Sequence, residues 1–262
     1  MKIDLSGKNA LVCGASQGIG WAIAKQFAAC GANLLLIARS ESKLLNNINE
    51  LHKDENQRFD YLAADLSEPN KLNELLLPKL KEFRTFHILV NNSGGPKSGK
   101  ISEASIEDIQ LAINSHLMAY QVLTQIVLPG MKKENYGRII NITSIGAKQP
   151  IDNLGVSNTI RGAISSWAKI LSREVAPFGI TVNNLLPGYI LTERLKSLFQ
   201  SEAERNGTTF EIEINKLTEN IPERRIGSVD EIGFAVAFLA SNFANYITGI
   251  NLPVDGGFLR TL

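Results

Sequence analysis

Residues Asn9 to Gly20 read N-A-L-V-C-G-A-S-Q-G-I-G, an apolar run followed by three glycines. The apolar run indicates a strand buried on both faces, and the next segment, Ile19 to Ala29, has apolar residues at helical spacing. Glycines suit a tight strand-to-helix turn because they have no Cβ to clash, and they let backbone N–H groups approach a phosphate. The stretch therefore predicts a strand, a phosphate-binding turn and a helix. The alternative is a glycine-rich turn that binds nothing.

Strand-like and helix-like patterns alternate along the rest of the chain. Strand patterns lie at 34–37, 59–65, 87–90, 137–142, 180–186 and 249–254, and helix patterns at about 41–54, 69–83, 105–132, 154–177 and 228–242. This alternation predicts an α/β fold, a single-domain, Rossmann-like doubly wound parallel sheet flanked by helices on both faces. No linker or repeat divides residues 1–262.

Polar residues and glycines follow the strands of this sheet. The glycine turn, Arg39, Asp65, Asn91, Ser144 and Pro187 each come directly after a strand pattern. Ligands of such sheets bind beyond the carboxyl ends of the strands, so we expect these residues to gather at one edge.

Composition excludes several classes of function. The chain has 262 residues, 44% hydrophobic and 20% charged, with a net charge of +1, which gives no electrostatic case for nucleic acid or an anionic membrane. It has no apolar run of ~18 residues and no signal-peptide core at its start. Cys13 and Cys30 both lie in buried patterns, which favours a reducing cytoplasm. The histidines, at 52, 87 and 116, do not have the spacing of a metal site, so no metal is predicted.

The spacing of Gly14, Gly18 and Gly20 resembles the Thr-Gly-x-x-x-Gly-x-Gly pattern of the short-chain dehydrogenase/reductase family, with Cys13 at the usual Thr position. Further segments resemble that family in the same order: Asp65, Asn91–Gly94, 137–144, 187–192, 237–241 and 246–257. The last two are similar to the 3-oxoacyl-carrier-protein-reductase-like branch. The resemblance covers nearly the whole chain. It implies an oxidoreductase that moves a hydride between a nicotinamide cofactor and a small-molecule carbonyl or alcohol, and a homotetramer or homodimer.

The resemblance also implies which residues hold the cofactor. They are Gly14, Ser16, Gln17, Gly18, Ile19, Gly20, Arg39, Ser40, Asp65, Leu66, Asn92, Ser93, Gly94, Arg161, Pro187, Gly188, Ile190 and Thr192. An acid at the end of the second strand would bind the ribose 2′-hydroxyl of NAD, but Ala38 stands there, followed by Arg39. A guanidinium can hold the 2′-phosphate of NADP, so NADP(H) is expected. The alternative is that Arg39 is a solvated surface residue.

The chain departs from the family at the catalytic centre. The family's proton donor is the Tyr of Tyr-x-x-x-Lys, and alignment on 168–174 places Ser157 at the Tyr and Arg161 at the Lys. Ser157 follows Ser144, at the family's catalytic serine, by 157 − 144 = 13 residues, which fits the family's interval. No tyrosine lies between residues 136 and 189. Alignment on 128–131 places His116 at the position of the family's fourth catalytic residue, an asparagine.

These replacements change where a proton can come from. A serine hydroxyl such as that of Ser157 is a poor acid, and Arg161 keeps a positive charge but cannot give up a proton. His116 titrates near pH 6.5 when unperturbed, so we expect it to supply the proton, with a reduction rate that falls as a group of pKa about 6–7 deprotonates. The alternative is a helix histidine bonded to backbone. Tyr189 is a second candidate acid, or an aromatic wall of the site.

The polar segment 193–226 corresponds to the substrate-selecting lid of the family, and the alternative is a solvated excursion. Two functions remain in competition. The first is an NADP-dependent oxidoreductase, similar to 3-oxoacyl-thioester reductases, with an altered proton path. The second is a catalytically weak or inactive NADP(H)-binding sensor or structural subunit. Retention of a cation at Arg161 favours the enzyme.

Overall fold

A seven-stranded parallel sheet forms the centre of the protein, whose computed structural model describes residues 2–261. The strands are β1 (Asn9–Cys13), β2 (Asn33–Ala38), β3 (Phe59–Ala63), β4 (Ile88–Asn91), β5 (Gly137–Ile142), β6 (Ile180–Pro187) and β7 (Asn251–Val254). They lie in the order β3-β2-β1-β4-β5-β6-β7, and all neighbours are parallel. The strand order reverses between β1 and β4, which makes the crevice at their carboxyl ends the expected ligand site.

Helices cover both faces of the sheet. They are α1 (Gly18–Ala29), α2 (Glu41–Glu50), α3 (Pro69–Phe83), α4 (Ile106–Ala112), α5 (Ala119–Glu134), α6 (Gly155–Val175), α7 (Glu193–Asn206), α8 (Phe210–Asn220) and α9 (Val229–Ala240). One apolar core contains Phe27 of α1 and Val236 of α9, and the other contains Leu123 of α5 and Ile164 of α6. The predicted single-domain, doubly wound α/β fold is confirmed.

The helix predicted over 105–132 consists of three segments. Between α4 and α5, Ile113–Met118 forms a π-helical turn. Such a turn accommodates an extra residue in the helix, so side chains on either side of it no longer follow one 3.6-residue period. A pattern of apolar residues does not reveal this insertion, which is why the sequence predicted one continuous helix.

The continuous helical stretch Ile106–Glu134 is long and apolar enough to cross a membrane, judged by length and composition alone. Its residues Leu123, Val127 and Met131 are buried in the core between the sheet and the neighbouring helices. Burial on one face of the sheet accounts for part of its apolar composition, while Ile106 and Leu111 are exposed.

A row of asparagines, three of them buried, crosses four neighbouring strands. Asn91 of β4, Asn141 of β5, Asn184 of β6 and Asn251 of β7 are linked in that order, because each Nδ2 donates to the Oδ1 of the next residue at 2.8 Å. The Oδ1 of Asn91 is buried and has no partner among the described residues. We call these four residues the asparagine row. It fixes the register of β4 to β7 because a slipped strand would break its amide bonds.

Candidate active site

The glycine turn after β1 packs tightly on the segment after β4. Gly14 and Gly18 have φ of +61° and +57°. A Cβ added at Gly14 would lie 2.6 Å from Asn92 Nδ2, and one at Gly20 would lie 2.8 Å from the same atom. Asn92 Nδ2 also donates to the carbonyl of Cys13 at 3.2 Å. Only glycine fits this turn, so the spacing recognised in the sequence has a steric cause.

The amino end of α1 presents backbone donors to a ligand. Gln17 is the residue before α1, and its side chain does not cap the helix. Its Oε1 instead accepts from Lys43 Nζ at 2.8 Å. The position of a Cβ at Gly18 lies 3.6 Å from Thr192 Cγ2, so the opposite side of the groove is close. Uncapped N–H groups at a helix start favour an anion, and this cradle fits the diphosphate of a dinucleotide.

A cationic side chain, that of Arg39, lies at the end of β2. Arg39 is exposed there, and Ser40 caps α2, its Oγ accepting from the backbone N–H of Lys43 at 3.4 Å. The side chain of Lys43 extends to the glycine turn, as described above. No sequence motif indicated Lys43, although a lysine three residues after a capping serine could have done so. Cations beside a helix start favour a phosphate at this point.

Several other predicted cofactor residues have side chains that are already occupied or buried. Asp65 Oδ1 accepts a backbone hydrogen bond at 2.9 Å, and Thr192 Oγ1 caps α7 by accepting from Leu195 at 3.2 Å. Leu66 and Ile190 lie in the two apolar cores. Leu66 and Ile190 can therefore hydrogen-bond to a ligand only through their backbone groups. Gly188, just after β6, donates its N–H to Val254 at 2.9 Å.

Ser144 and Arg161 both lie at the end of β5. Ser144 follows this strand by two residues, and its Oγ accepts from the backbone N–H of Gly146 at 3.0 Å. Ser157 and Arg161 are both buried and lie one turn apart near the start of α6. Arg161 Nη1 donates to the carbonyl of Ile142 at 2.7 Å, while its buried Nε has no partner among the described residues. The guanidinium is thus fixed beside the strand that leads to Ser144.

His116 lies in the π-helical turn with an exposed fraction of 1%. Its Nδ1 is 2.9 Å from Ser115 Oγ and 3.1 Å from the carbonyl of Ala112. Since Ser115 Oγ donates to Leu111, Nδ1 must carry the hydrogen and donate it. Nε2 is buried with no partner in the described chain.

The pKa of His116 corrects an expectation from the sequence. Burial, and then the charge of Arg161, lower this pKa to about 3. His116 is therefore neutral near pH 7, and the expectation that it titrates at pH 6–7 is wrong. The resemblance placed His116 at the position of the family's fourth catalytic residue, but the sequence did not show that the π-helical turn buries its ring.

This low pKa predicts a pH-dependent stability. Unfolded histidine binds a proton near pH 6.5, so the unfolded state gains protons first as the pH falls. Neutral His116 makes its full contribution to the free energy of unfolding above pH 6.5. This contribution decreases as the pH falls from 6.5 towards 3. Between pH 7 and pH 5.5, the advantage of wild type over His116→Asn in the free energy of unfolding should shrink by on the order of 1 kcal/mol. Urea unfolding at both pH values measures it, and a constant difference would contradict it. His87, also buried with a lowered pKa, is present in both proteins.

Tyr189 belongs to the packing of segment 193–226, which forms the hairpin of α7 and α8. Its ring centroid lies 6.3 Å from that of Phe199 and 5.2 Å from that of Phe258. Burial, and then Glu202, raise its pKa. Tyr189 therefore packs in an aromatic cluster with Phe199 and Phe258, and its role as a wall of the site stays a prediction.

Arg194 ties α7 to the segment after β4. Its Nη1 and Nη2 donate to the carbonyls of Gly95 and Pro96 at 2.9 and 2.7 Å. A Cβ at Gly95 would lie 2.7 Å from the Arg194 Cζ, so the glycine leaves room for the guanidinium. A cleft of about 200 Å³ opens next to this contact, and its lining includes Pro96 and Val156 of α6. No sequence motif indicated Arg194.

Tyr120 is the third residue that the sequence did not single out, after Lys43 and Arg194. It lies in α5 with an exposed fraction of 0%, and its hydroxyl is 3.1 Å from Ser93 Oγ. Burial raises its pKa, while Arg161 and Ser93 partly oppose this through charge and hydrogen bonding. A tyrosine on the apolar face of a helix looks like a core residue, so its position beside Arg161 became clear only in three dimensions.

Comparisons with known proteins agree with this architecture. Residues 14–259 match the family model described as enoyl-(acyl carrier protein) reductase. The chain is 34% identical over 256 residues to a 2-dehydro-3-deoxy-D-gluconate 5-dehydrogenase of Bacillus subtilis, covering 98% of this chain and 96% of that protein. It is 35% identical over 257 residues to a 3-oxoacyl-[acyl-carrier-protein] reductase of Vibrio cholerae, covering 97% and 98%.

A solved structure is similarly close. L-sorbose reductase from Gluconobacter frateurii, complexed with NADPH and L-sorbose, superposes with a TM-score of 0.94 at 32% identity, covering 100% of both chains. Its match extends over the glycine turn, the sheet and the α7–α8 hairpin alike. The protein is therefore a member of the short-chain dehydrogenase/reductase family of oxidoreductases.

Proposed function

We propose that this protein is an NADPH-dependent oxidoreductase that acts on a small-molecule carbonyl or alcohol, with Ser157 and Arg161 at the positions of the family's Tyr and Lys. The observation that carries the proposal is the meeting of the glycine turn, Ser144 and Arg161 at one edge of the sheet. The bound nicotinamide supplies or accepts the hydride. The similar L-sorbose reductase was solved with NADPH, and the curated relatives carry names of carbonyl or alcohol oxidoreductases.

Different residues of the chain would bind different parts of the cofactor and the substrate. The amino end of α1 would hold the diphosphate, and Arg39 and Ser40 would hold the 2′-phosphate. Arg161 would donate to ribose hydroxyls, which would satisfy its unpartnered Nε. Ser144 would donate a hydrogen bond to the substrate oxygen. The α7–α8 hairpin would act as a lid, tied to the segment after β4 by Arg194.

The first test is turnover of NADPH with a panel of ketones, 3-oxoacyl thioesters and ketoses, followed by absorbance. We expect at least one member of the panel to be reduced at a rate that Ser144→Ala lowers. Tight NADPH binding without any turnover would instead support the NADP(H)-binding sensor or structural subunit.

Cofactor selectivity gives a sharper prediction. NADPH should bind more tightly than NADH by about 1.5–3 kcal/mol, because the 2′-phosphate gains charged hydrogen bonds from Arg39. Arg39→Ala should remove that difference, measured by titrating intrinsic fluorescence with both cofactors. Arg173→Ala, which removes an exposed arginine in the last turn of α6, serves as the control. Equal affinities in the wild type would contradict the assignment.

We also propose that the protein works as a homotetramer or homodimer in the cytoplasm. Large apolar side chains are exposed on the flanking helices, including Ile106, Leu111, Ile170 and Phe234. A soluble monomer gains little from such exposure, whereas a symmetric interface buries it. Light scattering at micromolar concentration should give the mass of two or four chains, and a monomer would contradict this. The free thiols of Cys13 and Cys30 suit a reducing compartment.

A further inference from the structure

Two guanidinium groups are fixed where neighbouring strands end. Arg194 Nη1 and Nη2 donate to the carbonyls of Gly95 and Pro96, in the segment that follows β4. Arg161 Nη1 donates to the carbonyl of Ile142, the last residue of β5. Since β4 and β5 are paired in the sheet, both guanidinium groups belong to the same edge.

The positive charges of the two arginines act on each other and on the same histidine. After burial, the charges of Arg161 and Arg194 lower the pKa of His116. Partial burial, and then the charge of Arg161, lower the pKa of Arg194. Within residues 2–261 neither arginine forms an ion pair with a carboxylate, and Glu193, the neighbour of Arg194 in sequence, pairs with Lys196 at 2.8 Å. Two cations without an acid form a site that an anionic ligand stabilises.

The cleft beside Arg194 gives such a ligand access. Pro96, whose carbonyl accepts from Arg194, lines the cleft of about 200 Å³, and so does Val156, the residue before Ser157. Its lining contains as many lysines as acids, namely Lys97, Lys100, Glu103 and Asp108. The lining therefore does not neutralise Arg194. A guanidinium has five N–H donors, and the exposed Arg194 uses one on each of two carbonyls, so three stay available.

The proposed cofactor does not use this charge either. Its diphosphate is assigned to the amino end of α1 and its 2′-phosphate to Arg39. Its nicotinamide must lie beside Ser144 for a hydride to reach a carbonyl there, and the reduced ring carries no negative charge. The charge of Arg194 is thus left for the substrate.

We propose that the carbonyl substrate carries an anionic group, a carboxylate or a phosphate, which Arg194 binds while Ser144 donates to the carbonyl oxygen. This inference rests on the proposed function and names its substrate class. Arg194 determines specificity, and Arg161 contributes through its charge, with its own donors kept for Ile142 and the ribose. The planar fork of a guanidinium pairs with both oxygens of such a group, which the point charge of a lysine does not do.

The first experiment measures binding without turnover. Oxidised NADP⁺ fills the cofactor site but cannot reduce a ketone, so the full chain saturated with NADP⁺ is titrated by calorimetry. The ligands are two matched pairs, acetoacetate with methyl acetoacetate and dihydroxyacetone phosphate with dihydroxyacetone. We expect at least one anion to bind at least about 10-fold more tightly than its neutral partner. The pair that shows this preference distinguishes a carboxylate from a phosphate.

Three variants assign the preference to one side chain. Arg194→Gln should remove most of it, and Arg194→Lys should keep a part, because the charge stays and the fork is lost. Lys196→Gln is the matched control, since it removes an exposed cation from the same end of α7 and should keep the preference of wild type. Affinity for NADPH should be the same in all three.

The second experiment measures turnover with NADPH on the matched pair that wild type reduces faster. Arg194→Gln should raise KM for the anion by about 10–100-fold and leave KM for the neutral partner unchanged. A merely structural role of Arg194 in holding α7 would instead change the kinetics of both partners alike.

Every outcome decides between the two proposals. Equal binding of anion and neutral partner by wild type, or a preference that survives in Arg194→Gln, overturns the anionic substrate. Loss of NADPH affinity in Arg194→Gln as large as the loss of anion affinity also overturns it, because Arg194 would then serve the cofactor. If wild type reduces neutral carbonyls as readily as anionic ones, the proposed function stands and only the substrate class fails. If anions bind through Arg194 but no carbonyl is reduced, the proposed function fails and the anion site stands.

Discussion

Gly20→Ala is expected to weaken NADPH binding by about 100-fold or more and to lower the free energy of unfolding by about 1–3 kcal/mol. A Cβ at this position would overlap the carbonyl of Gly14 and approach Asn92 Nδ2 to 2.8 Å. Neither group can yield easily, since one is backbone in the turn and the other is bonded to the carbonyl of Cys13. The turn must therefore move, and the N–H groups that would hold the diphosphate move with it.

The matched control is Gly162→Ala, in the middle of α6, where an added Cβ meets no atom within 4 Å. Alanine in a helix interior is favourable by about 0.5–1 kcal/mol relative to glycine, so this variant should be as stable as wild type or more so. Fluorescence titration gives the affinities, and urea unfolding gives the stabilities. A Gly20→Ala protein that binds NADPH like wild type would show that the turn does not hold the diphosphate.

Asn141→Leu is expected to lower the free energy of unfolding by about 2–6 kcal/mol. The change removes the middle of the asparagine row and leaves both Asn91 Nδ2 and Asn184 Oδ1 buried without partners. Each unsatisfied buried group costs about 1–3 kcal/mol, and leucine supplies no polar atom in return. Urea unfolding of the cofactor-free protein measures the loss.

Asn251→Leu provides the comparison because Asn251 is the last residue of the row. Its replacement leaves only Asn184 Nδ2 without an acceptor, so the expected loss is about 1–3 kcal/mol. Asn251 is also only partly buried, which lets water replace the lost bond. Equal losses in the two variants would show that the row contributes through packing rather than through its hydrogen bonds.

The fold could be predicted well from the sequence. The strands of a doubly wound sheet are buried on both faces, so their sequences are short apolar runs. The same topology predicts that the glycine turn, Arg39 and Ser144 lie at one edge of the sheet, because each follows a parallel strand. Helix ends were less certain. The helix predicted over 41–54 ends at Glu50, where Leu51 takes an extended conformation.

The chemistry of the candidate site could be predicted only in part. Alignment placed Ser157 and Arg161 on one helix face, but the pKa of His116 depends on burial in a π-helical turn that no sequence period displays. Tyr120 has the sequence signature of a core residue, and its contact with Ser93 joins two segments 27 positions apart. Side-chain contacts between distant segments were the part that periodicity and motif spacing did not contain.

The asparagine row has a consequence for how this chain can diverge. Each interior side-chain amide accepts a hydrogen bond from one neighbouring strand and donates one to the other. A single substitution by an apolar residue therefore leaves two neighbouring asparagines each without one hydrogen-bond partner. Drift at Asn141 or Asn184 is therefore blocked unless compensating changes occur on adjacent strands. Homologues of this chain should keep asparagine at all of the interior positions or replace it at all of them. These positions should therefore covary.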